Sequence, residues 1–343
     1  MTEDSLQYGS TEITLKVIAN KTGYSINTIS RALKNKDDIS IATRKSIQEV
    51  AKDMGYIVNN IAGALRSGTT KTIAIILGDI SNPHFGILVK DMQITARKYG
   101  YDTIIVNTDE NSDLEEQAIY SVLSKKVDGI IICPAQKNKD NILLLKKTGI
   151  PFILFGRRFD DIETDYVVCD DVKGGYLATS YLISKGHNRI LFLNGPCYIS
   201  SAKERYEGYM KALKESNLKF DHSLIREVSV KSGGARKILK RVLREGIDFT
   251  AIFAFSDMIA WESIFTLNEL GINIPKSNSI IGFDNIQSRL FLPSQLTTIS
   301  SSKERMSRRS VEILLKRLNG EVSTNCFKEI LDVKLLEREP IIL

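Results

Sequence analysis

The sequence is short of the residues that mark enzymes, metalloproteins and membrane proteins. It has three histidines, one tryptophan, four cysteines and seven prolines in 343 residues. Cys133, Cys169, Cys197 and Cys326 are far apart and form no CxxC pair. They read as reduced thiols rather than a disulfide framework or a zinc site. His84, His187 and His222 have no partner at metal-ligand or triad spacing; His84 remains a candidate pocket wall and the other two read as surface. No Walker, GxSxG or HExxH motif occurs, so catalysis has no support and no cofactor is expected. No apolar run approaches the roughly 18 residues of a membrane span. The opening "MTEDSLQYGSTE" is polar and acidic, unlike a signal peptide. A cytoplasmic location is the expectation.

What is present is an ordinary globular composition, 43% hydrophobic and 26% charged, long enough for two or three domains. The net charge of +6 is unevenly spread. Residues 11 to 70 carry 9 Lys+Arg against 5 Asp+Glu, whereas residues 71 to 343 carry 38 against 34. The excess is +4 in each part, but over 60 residues in the first and 273 in the second. A basic front end points to a polyanionic partner.

Three short helical patterns come first. Leu15, Ile18, Ala19 and Thr22 repeat at i, i+3, i+4, i+7, as do Ile47, Val50, Ala51 and Met54; Ile29, Ala32 and Leu33 lie between. Thr14, Ser25 and Ser40 stand where N-caps belong, and Gly23 offers a tight turn between the first two helices. This is a helix-turn-helix pattern. The segment "NNIAGALRSGTTK" then runs into linker-like Ser, Gly and Thr. Beyond it come eight β-rich runs, "TIAIIL", "DTIIVN", "DGIIIC", "PFILFG", "YVVCD", "RILFLNG", "TAIFAF" and "SIIGFD", most of them separated by amphipathic stretches. That alternation predicts βαβ units and parallel sheets in two lobes.

The stretch "GYSINTISRALKN" carries the most chemistry. On a helix of about 100° per residue, Ile29, Ala32 and Leu33 form the core face. Asn27 and Arg31 lie opposite, flanked by Thr28 and Ser30, with Ile26 at the border. Asn pairs bidentately with adenine and Arg with guanine in the major groove. Ser and Thr hold phosphates, and Ile26 can press on a thymine methyl. The bland alternative is a solvated helix face, which three caps, the glycine turn and local basicity disfavour.

In open α/β sheets, ligands sit beyond the carboxyl ends of strands. Those ends here are Asp79 to Phe85, Asn107 to Asp109, Gly156 and Arg157, Gly195 and Pro196, Ser256 and Asp257, and Asp284. Asn82, Asp79, Arg157, Ser256, Asn107 and Asp284 suit a polyhydroxyl ligand, with Phe85 covering an apolar face. Asp257 also reads as a simple helix cap, and Asn82-Pro83 as a simple turn.

These residues carry a resemblance. "TLKVIANKTGYSINTISRALKNKDDISIATRKSIQEVAKDMGYIVNN" resembles the headpiece of the lactose/galactose repressor (LacI/GalR) family of transcription regulators. The similarity continues through "TIAIILGDISNPHFGILV", "VDGIIIC", "AKERYEGYMKAL", "TAIFAFSDMIA" and "SIIGFDN", covering about residues 12 to 340. It implies an all-α helix-turn-helix headpiece (12–58), a hinge helix and linker (59–70) and a periplasmic-binding-protein-like α/β core (71–343). Lobe one would hold about 71–170 plus 300–326, and lobe two about 171–299 plus 327–343. By the resemblance, Ile26, Asn27 and Arg31 match base-reading positions, and Thr14, Ser25, Thr28, Ser30 and Asn35 match positions near phosphates. Asn59 to Leu65 match the hinge helix that pairs with its dimer mate in the minor groove, with Leu65 as the wedge. Two departures stand out there: Val58 replaces the usual Pro, and Gly63 costs the hinge roughly 1 kcal/mol relative to Ala.

In the core, Arg205 matches the family's effector arginine and Asp284 its partner acid, together able to clasp vicinal hydroxyls. The usual aromatic before "SG" is not evident in "VSVKSGG". The expectation is therefore a DNA-binding regulator, a repressor, working as a homodimer on palindromic double-stranded DNA. A small effector, a carbohydrate or its derivative, would bind between the lobes. With no heptad tail after "LLEREPIIL", a dimer is favoured over a tethered tetramer. The alternatives are a protein co-regulator in place of the small ligand, a sugar receptor without DNA function, and an enzyme acting on a sugar or nucleoside.

Overall fold

A computed structural model describes residues 13–57, 68–231, 233–272, 279–290, 295–321 and 325–338. The chain divides into two compact units, Met1–Thr70 and Lys71–Leu343. The expected hinge residues Asn59 and Leu65 lie outside the described residues.

The first unit contains α1 (Leu15–Thr22), α2 (Ile26–Leu33) and α3 (Ile41–Asp53). The apolar periodicity becomes its core: Ile18, Ile29, Ala32, Ile47 and Ala51 are buried together. Ser25 and Ser40 cap α2 and α3 by accepting from the amides of Thr28 and Thr43. Thr14 occupies the α1 N-cap position but makes no side-chain cap bond. Gly23 ends α1 at φ +75°, a left-handed conformation that suits a residue without Cβ.

The second unit is two six-stranded sheets. The first contains β1 (Thr72–Leu77), β2 (Asp102–Asn107), β3 (Gly129–Ile132), β4 (Phe152–Phe155), β5 (Tyr166–Cys169) and β11 (Lys328–Leu331), in the order β11-β5-β4-β3-β1-β2. The second contains β6 (Ile190–Asn194), β7 (Ile225–Glu227), β8 (Ala251–Ala254), β9 (Ile280–Phe283), β10 (Thr297–Ser301) and β12 (Val333–Leu336), in the order β12-β10-β9-β8-β6-β7. Every strand pairing is parallel except β10 with β12. The central strands are buried on both faces, which is why they read as continuous apolar runs. The helices are α4 (Pro83–Lys98), α5 (Ser112–Ser124), α6 (Asp140–Thr148), α7 (Asp171–Ser184), α8 (Ser200–Glu215), α9 (Gly234–Arg244), α10 (Asp257–Glu269) and α11 (Lys303–Leu318).

The lobe boundaries need correction. β11, placed by sequence in lobe two, lies in the first sheet, because Lys328–Leu331 pair in parallel with Tyr166–Cys169. Residues 300 and 301, placed in lobe one, belong to β10 and thus to the second sheet. Backbone pairing decides membership, and it puts the three crossings between lobes at Asp170, Ser302 and Asp332. The crossings touch: the Asp170 amide donates to the Leu331 carbonyl at 2.8 Å, and the Ser302 hydroxyl to the Asp332 carbonyl at 3.2 Å.

In lobe two, α7 and α8 pack with no room between their backbones. A Cβ on Gly175 would stand 2.2 Å from the Arg205 carbonyl oxygen, and one on Gly208 would stand 2.1 Å from the Val172 carbonyl oxygen. The substitution Gly175→Ala forces these helices apart. It is expected to lower core stability by ~1–3 kcal/mol in urea denaturation, the usual cost of overpacking; an unchanged midpoint would show that the helices can separate freely.

Candidate functional site

On α2 the inward residues Ile29 and Ala32 are fully buried, while Ile26, Asn27 and Arg31 are exposed. Thr28 and Ser30 flank them, half-buried. The Ser25 and Thr28 hydroxyls bond to one another at 2.9 Å beside the helix start. Asn35 lies beyond the C-terminus at φ +54°, its side chain accepting from Gln48 Nε2 at 2.8 Å. One contact was not foreseen: Arg31 forms an ion pair with Asp38, both about half exposed. The Asn27 amide and the Arg31 guanidinium therefore share an open face, and the guanidinium already has an acidic partner in its own unit.

The second candidate is a pocket of about 340 Å³ between the two lobes of the core. It collects strand ends from both sheets, as an open α/β architecture directs. After β1 come Asp79, Ser81, Asn82, His84 and Phe85; after β2, Asp109 and Glu110. Cys133 follows β3, and Phe155, Gly156 and Arg157 close β4. The second sheet adds Ser201 and Arg205 from α8, Val230 and Lys231 after β7, Phe255 and Ser256 after β8, and Asp284 after β9. Asp79, Asn82, Phe85, Arg157, Arg205, Ser256 and Asp284 thus stand in one cavity. Asn107 does not line it. Its side-chain carbonyl accepts from the Ile80 amide at 2.9 Å and its amide bonds the Asp109 carboxylate, so it ties the β1–α4 loop to the end of β2. Asn82 and Ser256 have a second task, capping α4 and α10.

Each arginine in the cavity already has a carboxylate. Arg157 donates through Nη1 and Nη2 to the two oxygens of Glu110 at 2.7 and 2.8 Å, and through Nη1 to the Pro134 carbonyl at 2.8 Å. Burial works against the Arg157 charge, but Glu110 outweighs it and holds the guanidinium above its ordinary range. Arg205 and Asp284, matched by the resemblance as a pair that clasps hydroxyls, both line the cavity and do not bond each other; Arg205 Nε donates to Asp171 Oδ1 at 2.8 Å, and its Nη1 bonds the Phe255 carbonyl. The guanidinium carbon lies 3.5 Å from the Phe283 ring centre and 4.4 Å from that of Phe255. This cation–π clamp fixes the plane of the group.

Asp284 lies beside His84. His84 Nδ1 lies 3.4 Å from Asp284 Oδ1 but has no hydrogen-bond partner. Burial first, then the charges of Lys303, Arg205 and Arg157, push the imidazole well below its ordinary pKa. A neutral ring offers a ligand one donor and one acceptor. Burial raises Asp284 from 3.8 to about 6, against the pull of Arg205 and Lys303. Asp284 sits at φ +108°, and Lys303 Nζ holds its carbonyl and that of Asn285. Glu110, Asp171 and Phe255 were missed as site residues, whereas His84 stands in the lining as the pocket wall the sequence suggested. Glu110 and Phe255 each lie one position outside the strand-end windows, and Asp171 is legible only as the partner of Arg205.

The pH dependence follows from Asp284. The native state keeps its proton between the unfolded value of 3.8 and about 6. Its contribution to stability is therefore complete below 3.8 and is lost as pH rises through about 6. Melting temperatures across this range are expected to fall less steeply with rising pH for Asp284→Asn than for the parent. Equal slopes would show that Asp284 titrates normally.

Known proteins share this organisation. Residues 70–332 match the family model of periplasmic binding proteins and the sugar-binding domain of the LacI family, and residues 14–59 match that of bacterial regulatory proteins of the lacI family. The HTH-type transcriptional repressor PurR of Actinobacillus pleuropneumoniae (serotype 3, strain JL03) is 32% identical over 305 residues, 89% of this chain and 91% of that protein. PurR of Pasteurella multocida (strain Pm70) is 30% identical over 307 residues, 89% of this chain and 92% of the relative. Among solved structures, the Lac repressor dimer bound to operator and the anti-inducer ONPF superposes with a TM-score of 0.81 at 22% identity, over 95% of this chain and 98% of that one. A LacI family regulator from Enterococcus faecium with bound ribose gives 0.69 at 29% identity, over 78% and 97%. The chain belongs to the LacI family, DNA-binding transcriptional repressors with a ligand-binding core.

Proposed function

We propose that α2 reads operator bases through Asn27 and Arg31, and that the core pocket holds a neutral, hydroxyl-rich effector whose binding shifts operator affinity. The observation that supports the DNA reading is the exposure of Asn27 and Arg31 on the face of α2 opposite buried Ile29 and Ala32. Ser25, Thr28, Ser30, Thr14 and Asn35 act as phosphate-positioning groups, and Asn59 and Leu65 act in the hinge. A homodimer on a palindromic site suits this docking geometry, in which protein symmetry mirrors half-site symmetry. Action on DNA sets the site of work in the cytoplasm.

The effector class rests on charge. Both pocket arginines are already paired with Glu110 and Asp171. Asp79, Asp109 and Asp284 add acceptors, while Lys231 is the remaining cation of the lining. Such a surface accepts hydroxyl donors and gives an anionic ligand little net attraction. Phe85, Phe155 and Phe255 supply the apolar walls against which a sugar ring packs. A bound effector alters DNA affinity only through its differential affinity for the two core arrangements.

Three measurements test the DNA half. With an operator selected from a random duplex pool, Arg31→Ala is expected to cost about 1–3 kcal/mol and relax preference at one position. Asp38→Asn frees Arg31 and is expected to tighten binding by up to ~5-fold, the scale of an exposed ion pair. Affinity should fall with salt at a slope of about −0.9 per phosphate neutralised. Unchanged sequence preference in Arg31→Ala would remove Arg31 from base reading. For the pocket, a thermal-shift series of neutral sugars against their phosphates should favour the neutral members, and Asp79→Asn should weaken that response.

A further inference from the structure

Arg157 and Arg205 both line the core pocket and each is paired with an acid, but the two acids are placed differently. Asp171, the partner of Arg205, is 2% exposed and takes no part in the lining. Glu110, the partner of Arg157, is itself a lining residue. Its two oxygens take Nη1 and Nη2 of Arg157 side by side, the fork in which a guanidinium holds any carboxylate. The docking place that Arg157 would offer to an acidic ligand is therefore filled by a side chain of the protein.

The backbone that puts Glu110 there is unusual. Thr108 to Asn111 form a turn, closed by the Asn111 amide on the Thr108 carbonyl at 2.9 Å. Its two central residues, Asp109 and Glu110, stand at φ +50° and +54°. Turns with both central residues in the left-handed region favour Gly, Asn and Asp, and a glutamate has no such preference. Both ends of the turn are fastened. Thr108 is fully buried and bonds the Leu77 carbonyl through its amide at 2.9 Å and its hydroxyl at 3.1 Å. Asn111 caps α5 by accepting from the Asp113 and Leu114 amides. The strand end beside the turn is cut back to receive the acid. A Cβ on Gly78 would stand 2.2 Å from Glu110 Oε1 and 2.6 Å from its Cδ. A strained turn, two anchors and a space without a side chain all serve to hold one carboxylate at the pocket wall, and backbone strain of this kind gathers at functional sites.

We propose that Glu110 is the charge selector of the effector pocket: by occupying the anion position on Arg157 it reserves the pocket for uncharged ligands and excludes carboxylates, such as sugar acids, and other small oxyanions. Asp171 neutralises Arg205 from outside the cavity, so a ligand never competes with it. Glu110 lies where the ligand arrives, and an acidic ligand would have to displace it or approach a carboxylate. Without Glu110, Arg157 keeps only the Pro134 carbonyl among these partners and becomes a buried receptor for an oxyanion.

The inference rests on reading the core cavity as the effector site, and the test separates the two. The full chain is compared with Glu110→Gln, which keeps the shape of the side chain, and with Glu110→Ala, which leaves a hole the size of a small carboxylate. Melting curves and calorimetry are run without DNA, first with sodium acetate and sodium sulfate against chloride at matched ionic strength. Both variants are expected to melt lower in chloride, because a buried charge has lost its partner. Acetate or sulfate is then expected to bind them saturably, at least tenfold more tightly than it binds the parent, and to restore the melting temperature. Adding Arg157→Met to Glu110→Gln is expected to remove that response. Next, galactose and glucose are titrated against galacturonate and glucuronate. Preference is expected to move toward the uronate by tenfold or more in Glu110→Gln. An anion response equal in parent and variants, or one that survives Arg157→Met, overturns the selector. If the anion response appears as expected while no sugar of either kind binds, the selector stands and the sugar reading falls. If the hexoses bind while anion response and uronate preference stay at the parent level, the sugar reading stands and the selector falls.

Discussion

The core depends on the backbone contact between α7 and α8. Gly175 and Gly208 let the two helices meet without intervening side chains. That closeness sets Asp171, at the start of α7, against Arg205 on α8, and the pair then bonds at 2.8 Å with almost no exposure to water. A buried ion pair tolerates little misplacement, because losing one partner strands the other charge in a low-dielectric site. The phenylalanine rings of Phe255 and Phe283 complete the cage around Arg205. The pocket is thus built around a guanidinium whose position is decided by two glycines.

Much of the fold was legible because its physics is local. The apolar period of the three short helices appears as the buried set Ile18, Ile29, Ala32, Ile47 and Ala51. The eight β-rich runs all became strands, since central parallel strands must be apolar on both faces. What escaped were β7, β10, β11 and β12. Three of these, "IRE", "KEIL" and "VKLL", are short and carry charges, and "TTISS" is buried although it is made mostly of hydroxyl residues. Such strands are fixed by partners far away in the chain, which no local window contains. The same blindness misplaced β11 in the wrong lobe.

The site divides in the same way. The rule that ligands gather at carboxyl ends of strands found Asp79, Asn82, Phe85, Arg157, Ser256 and Asp284 from position alone. It could not say which charge neutralises which. Arg157 with Glu110 and Arg205 with Asp171 are separated by 47 and 34 residues. Arg31 and Asp38 are close in sequence, yet their pairing depends on how the chain turns after α2. Residue type told what chemistry was available, and tertiary pairing told how much of it is already engaged.

The crossings at Asp170, Ser302 and Asp332 are each a single residue long and lie side by side. With one residue there is no slack for the lobes to slide or draw apart. Each crossing supplies two soft torsions, so relative motion of the lobes collapses onto a narrow set of rotations about one shared axle. Such a mechanism transmits a small displacement at one end as a defined swing at the other, and it has no loose direction in which that signal can dissipate.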